Sequence, residues 1–397
     1  MTGSRRVLVV AGEASGDRHA AGLAREARAR DPALRFLGVG GPALRDAGAE
    51  ILVDMEALSI IGITEAVAAL PRVRRVMARL EGVLRDDPPD ALLLVDLPDF
   101  NLALAKRAKR AGIPVAWFVS PQVWAWRRGR VKAIRRRVDR MIVLFPFEAD
   151  FYREHGVPVT LAGHPLAEVR PAGIPREEAK RRLGLDPAAP ALALLPGSRR
   201  GELDRLLDPM LGAAAEVRRR LGDVSLLLPV APGLDAGEVR RRVGPSGLPV
   251  AVLPGALDEI AAAVEAALVA SGTATLELAV REVPHVIVYR TSLLTYLLAR
   301  FLVRVRHVGL VNLVAPRPFV PELLQGGFTP GRAADALAPL LREGPARAAM
   351  VARLREVRRR LGEPGAYGRA AEALLRVLDG APGAGENPGT GETRSGP

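Results

Sequence analysis

The chain has 397 residues, which is long for a single hydrophobic core and predicts two domains of ordinary size. Its formal net charge of +13 comes almost entirely from arginine and favours polyanionic partners, although a base-composition bias toward Ala, Gly, Pro and Arg explains the same excess. The absence of cysteine excludes disulfides, thiolate metal sites and cysteine nucleophiles.

Apolar runs bounded by turn residues predict buried strands along the first half of the chain. In chain order they are RVLVVAG from Arg6, RFLGVG from Arg35, ALLLVD ending at Asp96, PVAWFVS ending at Ser120, RMIVLF from Arg140 and PVTLAG ending at Gly163. Helical periodicity lies between them, as in residues 65–85. Strands that are apolar throughout and alternate with helices predict a parallel sheet covered by helices on both faces.

A connection with prolines and no apolar period, residues 164–178, interrupts this pattern. After it the alternation resumes with ALALLPGS, VSLLLPVA, PVAVLPG, AALVASG and PHVIVYR. The predicted fold class is therefore α/β, with two doubly wound, Rossmann-like domains that face a cleft and cover residues 1–170 and 171–345. Residues 379–397 are too poor in apolar side chains to fold and are predicted to be disordered.

The most apolar stretches predict neither an export signal nor a membrane span. The run that follows Arg5 and Arg6 is too short for either, and Arg300 and Arg304 interrupt the apolar residues of 292–305. We therefore expect a cytoplasmic protein without a transmembrane helix.

The loop AGEASGD follows the first predicted strand, where ligands of doubly wound sheets bind. Gly12 and Gly16 allow a tight turn, and Ser15 and Asp17 are predicted to cap the next helix, so that backbone amides face the cleft. The loop lacks the lysine of a Walker A motif. GVGGPA at 38–43 resembles the dinucleotide-binding fingerprint but follows the second strand rather than the first, so neither loop matches a known nucleotide-binding motif. A purely structural turn is the alternative for both loops.

Asp96 ends the strand ALLLV and opens the stretch DLPDFN. A carboxylate at the end of a buried strand, beside a cleft, is well placed to take a proton from a substrate hydroxyl. The alternative is a helix cap or turn former. Asp99, which follows Pro98, is the better candidate for that capping role.

The second half offers two loops suited to a nucleoside diphosphate. LLPGSRRGEL ends a strand with Gly197 and Ser198, which permit close backbone approach, and then supplies Arg199 for bidentate phosphate binding. LVASGTATLELA places amides of residues 272–275 at a helix start, with Glu277 a turn later for the ribose hydroxyls. No D-x-D motif or His/Glu cluster is present, so no metal or other cofactor is expected, and Arg199 with the helix dipole must meet the charge of a leaving pyrophosphate.

Taken together, the motifs resemble the lipid-A-disaccharide synthase family, whose members are GT-B type glycosyltransferases with two Rossmann domains. The matching pieces occur in family order from residue 7 to about residue 330. They are AGEASGD, GVGGPAL, DLPDFN, SPQVWAWRRGRVKAI, FPFEADFY, GHPLAE, LLPGSRRGEL, ASGTATLE and VGLVNLVAPRPFVPELLQ. The stretch SGDRHAA departs from the apolar side chains common in relatives, which bears on acceptor and acyl-chain preference rather than on the reaction.

The resemblance implies transfer from UDP-2,3-diacylglucosamine to 2,3-diacylglucosamine 1-phosphate, giving a β-1,6-linked disaccharide 1-phosphate and UDP, with inversion in a single displacement. Asp96 would then be the base on the acceptor 6-hydroxyl. The residues implied to hold the UDP moiety are Gly197, Ser198, Arg199, Ser271, Gly272, Thr273, Ala274, Thr275, Glu277 and Asn312. Those implied to face the reacting sugars are Glu13, Ser15, Gly16 and Asn101. The GT-B type also implies that helices of residues 346–378 return to the first domain, and a homodimer is a further expectation.

All three tryptophans, Trp117, Trp124 and Trp126, precede a basic run that ends at Arg137. An apolar stripe at helical spacing follows them, formed by Val131, Ile134, Val138 and Met141. One interpretation is a crossover helix with a solvated basic face. The other is contact of Trp124 and Trp126 with an anionic inner-membrane surface or with the acylated substrates.

A second candidate for membrane contact is the segment 59–80, with Arg72, Arg74 and Arg75 beside apolar residues, together with 292–306. Nucleic acid is not an expected partner, because no recognisable binding module accompanies the basic residues. Two rival functions remain open at this point. One is an enzyme similar to UDP-N-acetylglucosamine 2-epimerase, and the other is a non-catalytic peripheral lipid-binding protein.

Overall fold

The computed structural model describes residues 4–58, 63–124, 128–231, 233–291 and 307–380, which form two compact units. Unit 1 comprises the described residues of Met1–Gly163 and Gly365–Pro397, and unit 2 those of His164–Pro364. The chain thus enters unit 2 slightly earlier than the boundary drawn from sequence, because the 3-10 turn Pro165–Glu168 packs against the helix Ala274–Val280 of that unit. The predicted disordered tail lies outside the described residues from 381 onward.

Unit 1 contains a seven-stranded sheet in which every neighbouring pair is parallel. Its strands are β1 (Arg6–Ala11), β2 (Arg35–Gly40), β3 (Glu50–Asp54), β4 (Ala91–Val95), β5 (Val115–Phe118), β6 (Arg140–Val143) and β7 (Val159–Leu161). Their order is β3-β2-β1-β4-β5-β6-β7. The uninterrupted burial of β1 and β4 explains why their sequences carry no polar alternation.

Helices cover both faces of this sheet, as the alternation in the sequence predicts. They are α1 (Ala14–Arg30), α2 (Pro42–Asp46), α3 (Ile63–Asp86), α4 (Pro98–Arg110), α5 (Val131–Arg137) and α6 (Pro146–Glu154), and after unit 2 the last helix of unit 1, Ala366–Leu378. The last helix packs on α1 and on β4, β5 and β6. The opposite face carries a core in which Leu8, Leu94 and Trp117 meet residues of α3, α4 and α5.

Unit 2 repeats the design with six parallel strands. They are β8 (Ala191–Leu195), β9 (Ser225–Val230), β10 (Val250–Pro254), β11 (Ala266–Ala270), β12 (His285–Tyr289) and β13 (Glu322–Leu324), in the order β10-β9-β8-β11-β12-β13. The helices are α7 (Arg176–Arg182), α8 (Arg200–Leu221), α9 (Ala236–Val243), α10 (Leu257–Ala263), α11 (Ala274–Val280), α12 (Leu310–Val314), α13 (Pro330–Leu337) and α14 (Pro345–Arg360); the last helix of unit 1 is α15. Of the two helices in residues 346–378, α14 belongs to unit 2 and α15 to unit 1.

The helical interpretation of the stripe from Val131 to Met141 is wrong at its end. Helix α5 stops at Arg137, Val138 is its C-cap, and Met141 lies in β6. All four stripe residues are buried, because a strand packed on the same core needs apolar side chains as much as a helix does. Among the described residues, no helix combines the length and apolar composition that a bilayer span requires.

Candidate active site

The strand order of unit 1 brings two polar loops together. Between β1 and β4 the connections leave in opposite directions, and ligands of doubly wound sheets bind beyond the carboxyl ends of the strands at such a point. The loop after β1 carries Glu13, and the residue directly after β4 is Asp96. Sequence reasoning placed both residues at strand ends, and the sheet order makes the two strands neighbours.

Asp96 sits in a tight left-handed turn. Its φ is 52° and that of Leu97 is 44°, a region that L residues rarely adopt because of steric crowding. Two glycines make room for the turn. A Cβ added to Gly16 would lie 2.9 Å from Asp96 Oδ2, and one added to Gly12 would lie 2.1 Å from Leu97 Cδ1. The carboxylate of Asp96 therefore points at the first turn of α1.

Asn101 supports this turn from within the protein. Its side chain is fully buried, and Nδ2 donates to the carbonyl oxygens of Asp96 at 2.6 Å and Val95 at 3.1 Å, while its backbone N–H donates to Leu97 O at 2.9 Å. These three bonds clamp the carbonyls of Asp96 and Leu97, which form the left-handed turn, and of Val95, which precedes it. The amide thus contacts the backbone that carries the Asp96 carboxylate.

Burial is the main reason that the Asp96 carboxyl is a weak acid. Together with the negative charge of Glu13, it raises the pKa of Asp96 from 3.8 to about 7. A carboxylate with a pKa near neutrality is a stronger base than an exposed aspartate and is still ionised in part at pH 7.

The helix caps in this region differ from the sequence prediction. Helix α1 begins at Ala14 with Glu13 as N-cap, so Ser15 lies inside the helix. Asp17 is buried and accepts hydrogen bonds from the amides of Gly41, Ala43 and Leu44, so it caps α2 instead. Asp99 occupies the first turn of α4 after the N-cap Leu97, and its carboxylate pairs with Arg130.

A buried carboxyl that the sequence did not reveal holds the tryptophan loop. Glu148 accepts hydrogen bonds from Trp124 Nε1 at 3.3 Å and from the amides of Leu144 and Phe145 at 3.2 Å each. Burial raises the pKa of Glu148 to about 7. Trp124 also packs edge-on against Phe147, with ring centroids 5.0 Å apart. The signal that could have revealed this contact is the acidic residue in FPFEADFY, five residues after the end of β6.

The residues proposed for membrane contact have different environments. Trp117 is fully buried in β5, whereas Trp124 is half-buried in the loop after that strand. Arg72, Arg74 and Arg75 are exposed on α3. Trp126 and the segment 292–306 lie outside the described residues.

In unit 2 the predicted phosphate loops lie at the corresponding position of the sheet. The loops after β8 and β11 are neighbours, because these strands pair and the order reverses between them. Gly197 has a φ of 114°, and Glu202 Oε2 accepts the amides of Ser198 at 2.9 Å and Arg199 at 3.3 Å. Arg199 is exposed at the N-cap of α8.

The second loop leads from β11 into α11. Thr273 is the N-cap, and the amides of Gly272, Thr273 and Ala274 precede the first bond of the turn, which joins Thr275 N to Gly272 O at 3.2 Å. Thr275 is buried, and its hydroxyl also donates to Gly272 O. Glu277 is half-buried on the next turn of α11.

Ser271 and Asn312, which were predicted to hold UDP, both form side-chain hydrogen bonds within the protein. The Ser271 hydroxyl donates to Val308 O at 2.8 Å. Asn312 is buried, and its amide bonds to Val320, Glu322 and the amide of Phe319. In the part of the chain that the structure describes, no three His, Asp or Glu side chains are grouped as metal ligands would be.

Two Rossmann-type units in one chain, each with polar loops at the point where its strand order reverses, are the architecture of the GT-B fold. The kitacinnamycin glycosyltransferase has this fold, with a TM-score of 0.62 and 19% identity over 95% of this chain and 100% of that chain. The family model "Lipid-A-disaccharide synthetase" matches residues 7–376. The chain belongs to the lipid-A-disaccharide synthase family.

Relatives in two bacteria agree with the family model. The lipid-A-disaccharide synthase of Myxococcus xanthus is 47% identical, covering 95% of this chain and 99% of its own length. That of Geobacter sulfurreducens is 45% identical, covering 94% and 98%. The fold class and the glycosyltransferase assignment made from sequence are thereby confirmed, and the two rival functions lose their support.

Proposed function

We propose that this enzyme joins UDP-2,3-diacylglucosamine to 2,3-diacylglucosamine 1-phosphate and releases UDP. Membership of the synthase family implies a UDP-sugar donor and a sugar acceptor. The observation that carries the chemistry is Asp96, a partly buried carboxyl with its pKa raised to about 7 at the strand end where doubly wound sheets bind ligands.

In the proposed mechanism Asp96 acts as general base on the 6-hydroxyl of the acceptor. The hydroxyl proton passes to the carboxylate as the oxygen attacks the anomeric carbon, and the bond from that carbon to the diphosphate breaks in the same displacement. The electron pair of the broken bond leaves with UDP, and the configuration inverts to β. Glu13 and the first turn of α1, with Ser15 and Gly16, adjoin the carboxylate and are the candidates to contact the sugars.

Unit 2 supplies the proposed seat for UDP. Arg199 would pair with the diphosphate, and the amides of Gly272, Thr273 and Ala274 would donate to it as charge builds on the leaving group. Glu277 would accept hydrogen bonds from the ribose hydroxyls. Gly197 and Ser198 would let the backbone approach the nucleotide once Glu202 releases the amides of Ser198 and Arg199.

The reaction also predicts a location at the cytoplasmic face of the inner membrane, since both substrates are acylated. Arg72, Arg74 and Arg75 are exposed on α3, where Leu70 is 44% exposed, and arginines beside apolar side chains suit an anionic bilayer surface. In a flotation assay with anionic vesicles, the wild-type protein should float with the vesicles, and the variant with all three arginines replaced by glutamate should not. A matched control reverses three exposed arginines of unit 2, Arg181, Arg205 and Arg241, and should float as wild type. Equal flotation of both variants would contradict this surface.

Substrate choice tests the proposal directly. With the 1-phosphate acceptor in detergent, the acylated donor should give disaccharide and UDP, while unacylated UDP-N-acetylglucosamine should give neither disaccharide nor an epimer. Epimerisation of the unacylated donor, without disaccharide from any acylated donor, would overturn the proposal. Light scattering against the chain mass of 42.3 kDa decides whether the expected homodimer forms.

A further inference from the structure

A buried polar cluster in unit 2 joins Asn312 to Glu322 and reaches the loop before α12. The Glu322 side chain is 8% exposed and lies at the start of β13. Its two carboxylate oxygens accept hydrogen bonds from the amides of Val308 at 2.9 Å and Gly309 at 3.1 Å, and from Asn312 Nδ2 at 2.8 Å. This carboxylate therefore fixes the backbone of the loop and the position of Asn312 at once.

The Asn312 side chain has no hydrogen-bonding capacity left for a ligand. Its oxygen accepts two bonds, from the amides of Phe319 and Val320, both at 3.0 Å. Its nitrogen donates two, to Val320 O at 2.9 Å and to Glu322. A side-chain amide offers two acceptor positions and two donor hydrogens, and all four are used inside the protein.

The cluster is linked to the proposed UDP seat through one residue. The amide of Val308 donates to Glu322, and its carbonyl accepts the hydroxyl of Ser271, which directly follows β11 and precedes the first amides of α11. A shift of the 308–309 backbone would therefore move the Ser271 side chain and the loop that enters α11.

We propose that Glu322 and Asn312 are positioning residues for the nucleotide site, acting through Val308 and Ser271, and that Asn312 does not itself contact UDP. The inference rests on the proposed binding of UDP at the loop after β11. It assigns a role to Glu322, which the sequence motifs did not single out, and replaces the direct contact that the family resemblance implies for Asn312.

A donor–acceptor exchange tests the proposal. In N312D a second carboxylate faces Glu322, and the donor to Glu322 is lost, so UDP affinity measured by calorimetry on the full chain should fall about tenfold or more. In N312D/E322Q the new amide nitrogen at 322 donates to the new carboxylate at 312, and the amide oxygen still accepts from the backbone N–H of Val308, at the same total charge as wild type. The bonds from Gly309 and to Val320 are not restored. The double variant should bind UDP about fivefold or more tightly than N312D does, without reaching wild-type affinity.

Direct contact predicts the opposite result for the double variant. An aspartate touching the diphosphate repels it whatever stands at 322, so failure of E322Q to restore affinity in a folded N312D chain overturns the proposal. Should N312D fail to fold, E322Q alone decides: a rise of about fivefold or more in the Kd for UDP supports the proposal, and an unchanged Kd overturns it.

A matched control separates positioning from general loss of stability. Glu265 is another largely buried glutamate of unit 2, accepting from the amide of Ala191 at 2.6 Å and from Lys180 at 2.9 Å, but it precedes β11. It thus lies at the opposite end of the strands, and E265Q should leave the Kd for UDP unchanged. In steady-state kinetics E322Q should raise the KM for the donor more than it lowers kcat. Absence of UDP binding by the wild type would overturn the proposed function and this inference with it, whereas normal binding by E322Q overturns the inference alone.

Discussion

Replacement of Asp96 by asparagine should stabilise unit 1 while removing the proposed base. The folded carboxyl has a pKa of about 7 against 3.8 for an ordinary aspartate, so the folded chain holds a proton that the unfolded chain has already released. The unfolded state binds fewer protons between about pH 4 and pH 7, so stability falls as the pH rises through that window and stays low above it. Asparagine has no charge to bury and tolerates a positive φ better than most residues.

The size of the effect follows from the shift in pKa. A change in the pKa of Asp96 from 3.8 to about 7 corresponds to ~4 kcal/mol, at ~1.36 kcal/mol per pKa unit. Partial exposure of the carboxyl reduces this to ~1–2 kcal/mol. We expect Asp96→Asn to raise the free energy of unfolding by that amount at about pH 8.5, and by less than half as much at about pH 5.

Urea unfolding followed by tryptophan fluorescence measures the free energy of unfolding of unit 1. All three tryptophans lie between residues 117 and 126, within the sequence range of unit 1. The matched control is Asp99→Asn, at an exposed aspartate three residues further along the chain, and its stability relative to wild type should not increase with pH. A destabilised Asp96→Asn chain at about pH 8.5, or an equal gain at both pH values, would refute the reasoning.

Three further variants probe the remaining parts of the proposed site. Glu13→Gln removes the nearby negative charge, so the pKa of Asp96 falls and the acid limb of kcat/KM should move to lower pH; an unmoved limb contradicts that coupling. Asn101→Ala should lower kcat about tenfold or more, and Leu97→Gly in the same chain should recover part of the loss by removing the strain at φ 44°; equal loss in the double variant contradicts the positioning role. Arg199→Ala should raise the Kd for UDP and the KM for the donor by about tenfold without moving the acid limb, and unchanged UDP affinity would exclude Arg199 from the seat.

Much of the fold follows from hydrophobic pattern alone. Parallel strands buried on both faces have apolar sequences throughout, and helices such as α3 carry a stripe with period 3.6, so both elements were predictable. The stripe from Val131 to Met141 misled because a spacing of three and four residues between apolar side chains also arises where a short helix ends and a buried strand begins. The spacing of apolar residues therefore does not reveal where the helix ends.

The site was predictable where it depends on strand ends and not where it depends on long-range hydrogen bonds. Asp96 and Ser271 directly follow strands, so the sheet order suffices to place them. The partners of Asn312, and the clamp that Asn101 forms on the turn of Asp96, are set by backbone groups whose positions no residue spacing reports. Asp17 likewise caps α2, which begins 25 residues later in the chain, because β2 pairs with β1 and brings the start of α2 close to α1.

The most direct test of the account is the rate of disaccharide formation by purified wild type and Asp96→Asn, with acylated donor and 1-phosphate acceptor in detergent. We predict disaccharide from the wild type and a loss of about a hundredfold or more in the folded variant, with UDP affinity unchanged because the base lies in the unit that does not hold the proposed seat. Wild-type turnover by a folded Asp96→Asn chain would contradict the assignment of the base, and with it the proposed mechanism.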